Sequence, residues 1–249
     1  DVPFVERTFT FEVAGRQPET RTALYVPHHG PVIAIDRQAG TALTVKWAGH
    51  DADTDLNFLG KVWLASNVAE AEVAFRDITT FGQNLVVADT SGNIAWLPYS
   101  LIPDRPWASA ALPAWLPLPG EGSAEWGPYL PFSELPQSTN PARGYVATAN
   151  NDMTGSLQDG DPANDGQRAH QTYLATGDRH ERIEEVLSAS QQHTLEGTQQ
   201  LQADVRSLLG ERTVPAMISG LAGQTLTNEG QAVLPALQNW SFTCPPGLA

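Results

Sequence analysis

The sequence is poor in cysteine and in positive charge, and both shortages limit what the protein does. Cys244 is the only cysteine among 249 residues, so no disulfide can form within the chain. The chain has 14 Lys and Arg residues against 28 Asp and Glu residues, which gives a formal net charge of -14. Because phosphate binding needs clustered basic side chains, this balance argues against a nucleic-acid partner.

Long apolar runs and several familiar catalytic motifs are also missing. Prolines interrupt the stretch 108–120, "ASAALPAWLPLPG", and no segment is long enough to span a bilayer. The start of the chain lacks the basic region and apolar core of a signal peptide. The sequence contains no G-x-S-x-G, no G-x-x-x-x-G-K-[ST] and no H-E-x-x-H motif. We therefore expect no membrane span, and no single motif assigns an activity.

Strand signals dominate residues 1–100. Phe9, Phe11 and Val13 alternate with polar residues, which is typical of a half-buried strand. The stretch 41–49 predicts another strand, and a turn at 90–93 separates the two strands of a predicted hairpin. Asn67 is a suitable N-cap for a helix that interrupts this series of strands.

The rest of the chain changes character twice. Residues 101–143 are rich in proline and aromatic side chains, which favours a functional loop or a wrapping segment. Residues 144–249 contain a polar loop and then helical patterns, with apolar residues three and four apart in 177–190 and 194–211. We treat residues 1–249 as one unit with strands first and helices second, which predicts the α+β class.

Two adjacent asparagines, Asn150 and Asn151, follow a predicted strand over 145–148. Asparagine is a poor strand former, so the pair needs a reason to be there. One interpretation is that both side chains satisfy backbone groups in a turn. The other is that one of them is a positioned hydrogen-bond donor at the end of the strand. From these residues alone the turn interpretation is favoured.

Two other groups of residues resemble metal ligands. Asp159, Asp161 and Asp165 crowd one Gly- and Pro-containing loop, which fits either a calcium site or a plain acidic turn, but not an EF-hand. The pair His28-His29 precedes Gly30-Pro31, and this setting favours a turn over a ligand role. The six histidines lack the spacing of a zinc site.

Several motifs occur in a characteristic order along the chain. They are "HGPVI" (29–33), "ADTSGNIAWLP" (88–98), "LPLPG" (116–120), "YLPFSELPQSTNPARGYVATANND" (129–152) and "GDRHERIEEVL" (177–187). Together they resemble the penicillin acylase family of N-terminal-nucleophile amidohydrolases, in the interior of the large β chain. The resemblance covers roughly residues 25–210, and its segment from "LPF" to "NND" is specific.

The resemblance implies a fold and an activity. The fold would be part of a four-layer αββα arrangement, and the parent protein would cleave an acyl group from an amide. Its nucleophile would be a serine freed by autocatalytic cleavage, with its own α-amino group as the base. Asn150 would donate its side-chain N–H to the developing oxyanion, and Arg179 would hold the polar geometry of the site. Asn151 would shape the turn.

The resemblance also implies a cofactor, partners and a location. A structural calcium ion would bind Asp161 or Asp159, together with a backbone carbonyl near Ala114. The partners would be a small acyl-amide substrate, the α chain and the remainder of the β chain. The protein would be bacterial and either periplasmic or secreted.

One departure from the family pattern is at the first residue. Asp1 stands where a Ser, Thr or Cys nucleophile would be needed, so we expect an excised piece that alone hydrolyses no amide. The alternative is a non-catalytic module that packs and binds partner segments through the aromatic, proline-rich stretch 101–136.

Overall fold

A computed structural model describes residues 2–51, 56–79, 82–109, 111–153, 175–190 and 192–245. The strands of this part are β1 (Val5–Phe11), β2 (Glu19–Val26), β3 (Gly30–Asp36), β4 (Thr41–Thr44), β5 (Gln83–Ala88), β6 (Ile94–Tyr99) and β7 (Ser138–Thr139). The α-helices are α1 (Asn57–Leu64), α2 (Val68–Phe75), α3 (Asp178–Ser188), α4 (Leu195–Gln202), α5 (Leu208–Leu221) and α6 (Asn228–Gln238). Strands come first and most helices follow, so the predicted α+β class is confirmed.

The strands form two antiparallel sheets. The first sheet has the order β1-β2-β3-β4, and the second has the order β5-β6-β7. In the first sheet Val5 lies opposite Tyr25 and Phe11 opposite Glu19, so β1 and β2 pair antiparallel along the whole length of β1. The second sheet contains the predicted hairpin, whose turn lies between Ala88 and Ile94.

The main core lies between α2 and the second sheet. Asn67 caps α2 as predicted, because its side chain accepts a hydrogen bond of 2.9 Å from the backbone N–H of Glu70. The cap fixes the start of α2, and the helix packs against β5 and β6. The buried cluster consists of Val68, Phe75, Ile78, Ala95, Leu97 and Phe132.

The proline-rich segment 101–143 wraps around this core. It contributes Phe132 to the cluster, and its neighbours Leu130 and Leu135 are also buried. Trp107 donates an indole hydrogen bond of 2.7 Å to the backbone carbonyl of Glu125. The stretch 101–136 therefore uses several of its large side chains for internal packing.

Of the sequence-based predictions about local structure, the strand at 145–148 is wrong, and the strand over 41–49 is present but shorter than predicted. The predicted strand at 145–148 joins neither sheet, and β7 pairs with β6 in its place. The start of this stretch makes polar contacts instead. Arg143 donates to the carbonyl of Tyr145, and the hydroxyl of Tyr145 donates to Glu184 of α3. The strand predicted over 41–49 ends at Thr44, since the next residues lead into a 3₁₀ turn at Ala48–Asp51.

The helical pattern over 194–211 is divided between two helices. A break after Gln202 separates α4 from α5, and Ser207 caps the second helix by accepting from the N–H of Gly210. The break is stabilised because the N–H of Ser207 donates to the carbonyl of Phe242 over 2.7 Å. Among the described residues, no helix combines the length and the apolar character that crossing a membrane requires.

Candidate functional site

Asn150 lies at a sharp change of chain direction. Its φ of 61° is in the left-handed region, which asparagine tolerates better than most residues with a side chain. The side chain is exposed, and the backbone carbonyl accepts a hydrogen bond of 2.7 Å from the N–H of Ala175. The backbone of Asn150 is therefore fixed, while the carboxamide of its side chain faces outward.

Arg179 brings α3 into contact with this turn. Its Nη2 donates to the carbonyl of Ala149 over 2.7 Å and to Oδ1 of Asn150 over 2.8 Å. A guanidinium only donates hydrogen bonds, so the carboxamide must present its oxygen to Arg179. The nitrogen Nδ2 of Asn150 is thereby turned away from Arg179, and it has no hydrogen-bond partner among the residues that the structure describes.

Asn151 has the opposite environment. It is 6% exposed, its Oδ1 accepts from the N–H of Ala149 over 3.0 Å, and its Nδ2 donates to the carbonyl of Asp152 over 3.1 Å. These contacts are the kind that a turn-shaping residue requires. Of the two asparagines, therefore, only Asn150 offers its carboxamide to the surface.

Asn150 and Arg179 border a cleft of about 470 Å³. Its walls come from β5, the turn at 148–150, the start of α3 and the break between α4 and α5. The lining residues are Gln83, Asn84, Thr148, Ala149, Asn150, Arg179, Arg182, Ile183, Leu201, Asp204 and Arg206. A cleft of this size is within the range that holds small molecules.

The other arginines of the cleft are paired with carboxylates. Arg182 donates to Asp204 through Nε and Nη2, at 3.1 and 2.7 Å, and this bond lowers the pKa of the Asp204 carboxyl. Arg206 pairs with Glu211 at 2.6 Å. Within the described part of the chain, Arg179 makes no ion pair, and its charge therefore remains directed at the carbonyl and amide oxygens around Asn150.

The start of α3 is fixed by a buried acid that sequence reasoning missed. Asp178, 9% exposed, accepts a hydrogen bond from the hydroxyl of Thr176 and another, of 3.0 Å, from Nη1 of Arg212 on α5. Arg212 also pairs with Glu181. This network anchors the first turn of α3, the helix that carries Arg179. The sequence signal was only an acidic residue in the first turn of a helix.

The predicted calcium site is not tested by the described structure. Asp159 and Asp161 lie outside the described residues. Ala114 lies in a turn of the proline-rich segment and is half-buried. The calcium site therefore stays a prediction.

Comparison with known sequences identifies the family. The sequence model of the penicillin amidase family matches residues 1–248. The chain belongs to the penicillin amidase family. This confirms the resemblance to penicillin acylases that the motifs indicated.

Three curated members of the penicillin amidase family illustrate the relationship. The chain is 36% identical over 186 residues to the penicillin acylase 2 proenzyme of Pseudomonas sp. (strain SE83), a match that covers 72% of this chain and 22% of the relative. It is 32% identical over 153 residues to the acyl-homoserine lactone acylase QuiP of Pseudomonas fluorescens (strain Pf0-1), covering 59% and 18%. It is 30% identical over 152 residues to the penicillin G acylase of Escherichia coli, covering 60% and 17%. The chain thus spans about a fifth of the length of these relatives.

A solved structure extends the likeness to the fold. The thermostable penicillin G acylase from Alcaligenes faecalis superposes with a TM-score of 0.69 at 24% identity, over 96% of this chain and 42% of that one. The chain therefore has the fold of the corresponding part of a penicillin G acylase.

Proposed function

We propose that this chain forms the oxyanion-stabilising part of an acylase that hydrolyses acyl amides. The observation that carries the proposal is the contact between Arg179 and Asn150 at the cleft, where Nη2 lies 2.8 Å from Oδ1. Membership of the penicillin amidase family supports the reaction class. Asn150 is the catalytic donor in this proposal, and Arg179 orients its carboxamide and adds positive charge.

The reaction would proceed through a tetrahedral intermediate. A serine Oγ attacks the amide carbon while the serine α-amino group accepts the proton, and the carbonyl oxygen becomes negative. Nδ2 of Asn150 donates to that oxygen without rearranging, because Arg179 already fixes the carboxamide. The C–N bond then breaks, the leaving amine takes the proton, and water hydrolyses the acyl-serine. The proposal places this serine on a separate segment of the assembled protein.

The proposed substrate is a small acyl amide, the class that unites the penicillin and acyl-homoserine lactone acylases among the relatives. The proposed protein partners are an α chain and the remainder of a β chain, and the proposed location is the bacterial periplasm or the medium.

We also propose a structural calcium ion bound by Asp161 or Asp159 and the carbonyl of Ala114. Replacing Asp161 with Ala would then reduce the rise in melting temperature that calcium produces.

The test of the oxyanion role is Asn150→Asp in the assembled enzyme. Aspartate keeps the size of the side chain and tolerates the left-handed backbone, but its carboxylate accepts hydrogen bonds and repels an oxyanion. We expect kcat to fall roughly 100- to 1,000-fold with a much smaller change in KM, the loss typical of a missing oxyanion donor. The measurement is steady-state hydrolysis of a chromogenic acyl anilide.

Asn140→Asp is the matched control. Asn140 is another asparagine with a positive φ, 48°, and it bonds to Asn93 and to the N–H of Ile94 away from the cleft. Its replacement should leave kcat close to that of the parent enzyme. An Asn150→Asp enzyme with unchanged kcat would exclude the oxyanion role.

The alternative of a non-catalytic module predicts different behaviour. A self-sufficient module would unfold by itself in one cooperative denaturant transition, whereas a part of an acylase would need the missing segments to do so. Internal packing of Leu130, Phe132 and Leu135 argues against this role, since it withdraws part of the stretch from any partner. Denaturant unfolding with and without the partner segments separates the two functions.

A further inference from the structure

Three side chains that the acylase site does not use lie together on another part of the molecule. His28 and His29 belong to the turn between β2 and β3, and Glu125 belongs to the proline-rich segment. One nitrogen or oxygen ligand atom from each lies within 4.8 Å of the others. No other three His, Cys, Asp or Glu side chains of the described ranges meet this distance.

The two histidines are fixed by a tight turn. The N–H of His29 donates to the carbonyl of Val26 over 3.1 Å, and the two imidazole rings lie 4.4 Å apart between centroids. Gly30, the next residue, has a φ of 105°, and a Cβ there would lie 2.4 Å from the carbonyl oxygen of Val45. Only glycine fits this close approach, so the turn packs directly against the backbone of Val45.

Glu125 is positioned just as closely. Its Oε1 lies 2.6 Å from Nε2 of His29, and its Oε2 lies 3.2 Å from the ammonium of Lys46, which packs over the Trp126 ring. Burial would raise the pKa of Glu125, but the bonds from His29 and Lys46 outweigh burial and lower it. The contacts with His29 and Lys46 give each oxygen of the carboxylate a set direction.

We propose that His28, His29 and Glu125 bind a zinc ion. Two imidazole nitrogens and one carboxylate oxygen are a donor set that zinc prefers, and water would complete a four-coordinate site. Zinc takes the place of the proton in the hydrogen bond between His29 and Glu125. Lys46 contacts the other carboxylate oxygen, Oε2, so Oε1 can bind the metal. Lys46 then orients the carboxylate without binding the metal itself.

The chemistry of these donors separates this site from the acidic loop of residues 157–166. Calcium takes oxygen ligands almost exclusively, whereas imidazole favours zinc and its neighbours in the transition series. Zinc would join the first sheet to a segment 96 residues away in sequence, and so stabilise the folded chain.

The experiment is a calorimetric titration of the chelator-treated chain with zinc alone. We expect one strong equivalent for the parent protein, and binding at least about tenfold weaker for His28→Gln and for Glu125→Gln. His28 is exposed, so its variant should keep the parent fold, checked by circular dichroism. X-ray absorption at the zinc edge should give nitrogen and oxygen neighbours at about 2.0–2.2 Å, with the scattering pattern of imidazole.

His193→Gln is the matched control, because His193 is an exposed histidine outside the cluster. It should bind zinc as tightly as the parent protein. The proposal is overturned if the parent binds no stoichiometric zinc, if His28→Gln binds as well as the parent, or if only oxygen neighbours are found. A loss in His193→Gln equal to that in His28→Gln would also overturn it.

Discussion

The two sheets of this molecule have similar strand signals and very different surroundings. Every residue of β1 in the first sheet is exposed, whereas Ala95, Trp96 and Leu97 of β6 in the second sheet are buried. The second sheet is covered by α2 and by Phe132 of the proline-rich segment. Alternating apolar residues indicate a strand, but they do not tell which strands another layer of the same chain will cover. The comparison implies that stability is concentrated around the second sheet.

The largest difference in stability is expected between two single variants, each of which replaces one phenylalanine, in the core of the second sheet or on the first sheet, with alanine. Phe75→Ala should lower the free energy of unfolding by about 3–5 kcal/mol, because this side chain is 2% exposed in the core of the second sheet. Phe11→Ala should change it by less than about 0.5 kcal/mol, because Phe11 is 52% exposed on β1. Urea unfolding measures both. Equal losses would show that the first sheet is as strongly packed as the second.

A smaller difference is expected between the aspartates of two hairpin turns. Asp89 at the β5–β6 turn accepts from Ser91, Asn93 and the first residue of α2, Val68. Among the described residues, Asp36 accepts only from the N–H groups of residues 38 and 39. Asp89→Ala should therefore lower the melting temperature more than Asp36→Ala does at neutral pH. The bond from the Asn93 side chain is the largest of the effects that lower the pKa of Asp89.

The same pair of variants gives an acid test. Because the folded pKa of Asp89 is lowered, its stabilisation is present above the unfolded pKa, about 3.9, and is lost as pH falls through the folded value. The melting temperatures of the parent and of Asp89→Ala should therefore converge in acid. A constant difference at all pH values would contradict the assignment.

The smallest effect on stability is expected from one hydrogen bond that joins the proline-rich segment to the 3₁₀ turn after the first sheet. Tyr129 donates its hydroxyl to Asp51, and burial followed by this bond raises the pKa of Tyr129 to about 12. The tyrosine stabilises the fold fully below its unfolded pKa of about 10, and this contribution is lost as pH rises toward 12. Tyr129→Phe should be slightly less stable at neutral pH and should lose less stability in alkali. Thermal unfolding across the alkaline range, with tyrosinate absorbance, is the measurement; an identical alkaline loss in the variant would exclude Tyr129.

Local signals in the sequence predicted most of the second sheet. The hairpin of β5 and β6 follows from two apolar runs and the polar turn between them, and α2 follows from Asn67 and its apolar spacing. These elements depend on neighbours within a few residues. The strand predicted over 145–148 is absent because this stretch pairs with no neighbouring strand, and Tyr145 donates its hydroxyl to Glu184 of α3 instead. The local sequence does not indicate that contact.

The candidate site depends on contacts that are distant in sequence. Asn150 and Arg179 are 29 residues apart, and only the resemblance to penicillin acylases indicated that both belong to one site. Arg212 lies 34 residues from Asp178, so spacing gave no sign of this pair. Glu125 lies 96 residues from His29, so the sequence around His28 and His29 indicates a turn and gives no sign of a third ligand.

The position of β1 has a consequence for how copies of the chain meet in solution. In the described structure β1 lies at the edge of its sheet, so one row of backbone N–H and C=O groups faces outward beside the exposed rings of Phe9 and Phe11. Such an edge is a template for aggregation unless charge opposes it. The net charge of -14 supplies that repulsion over about 10 Å at 0.1 M salt and less at higher salt. Concentrated salt should therefore promote edge-to-edge association, and a lysine in place of Phe11 should suppress it.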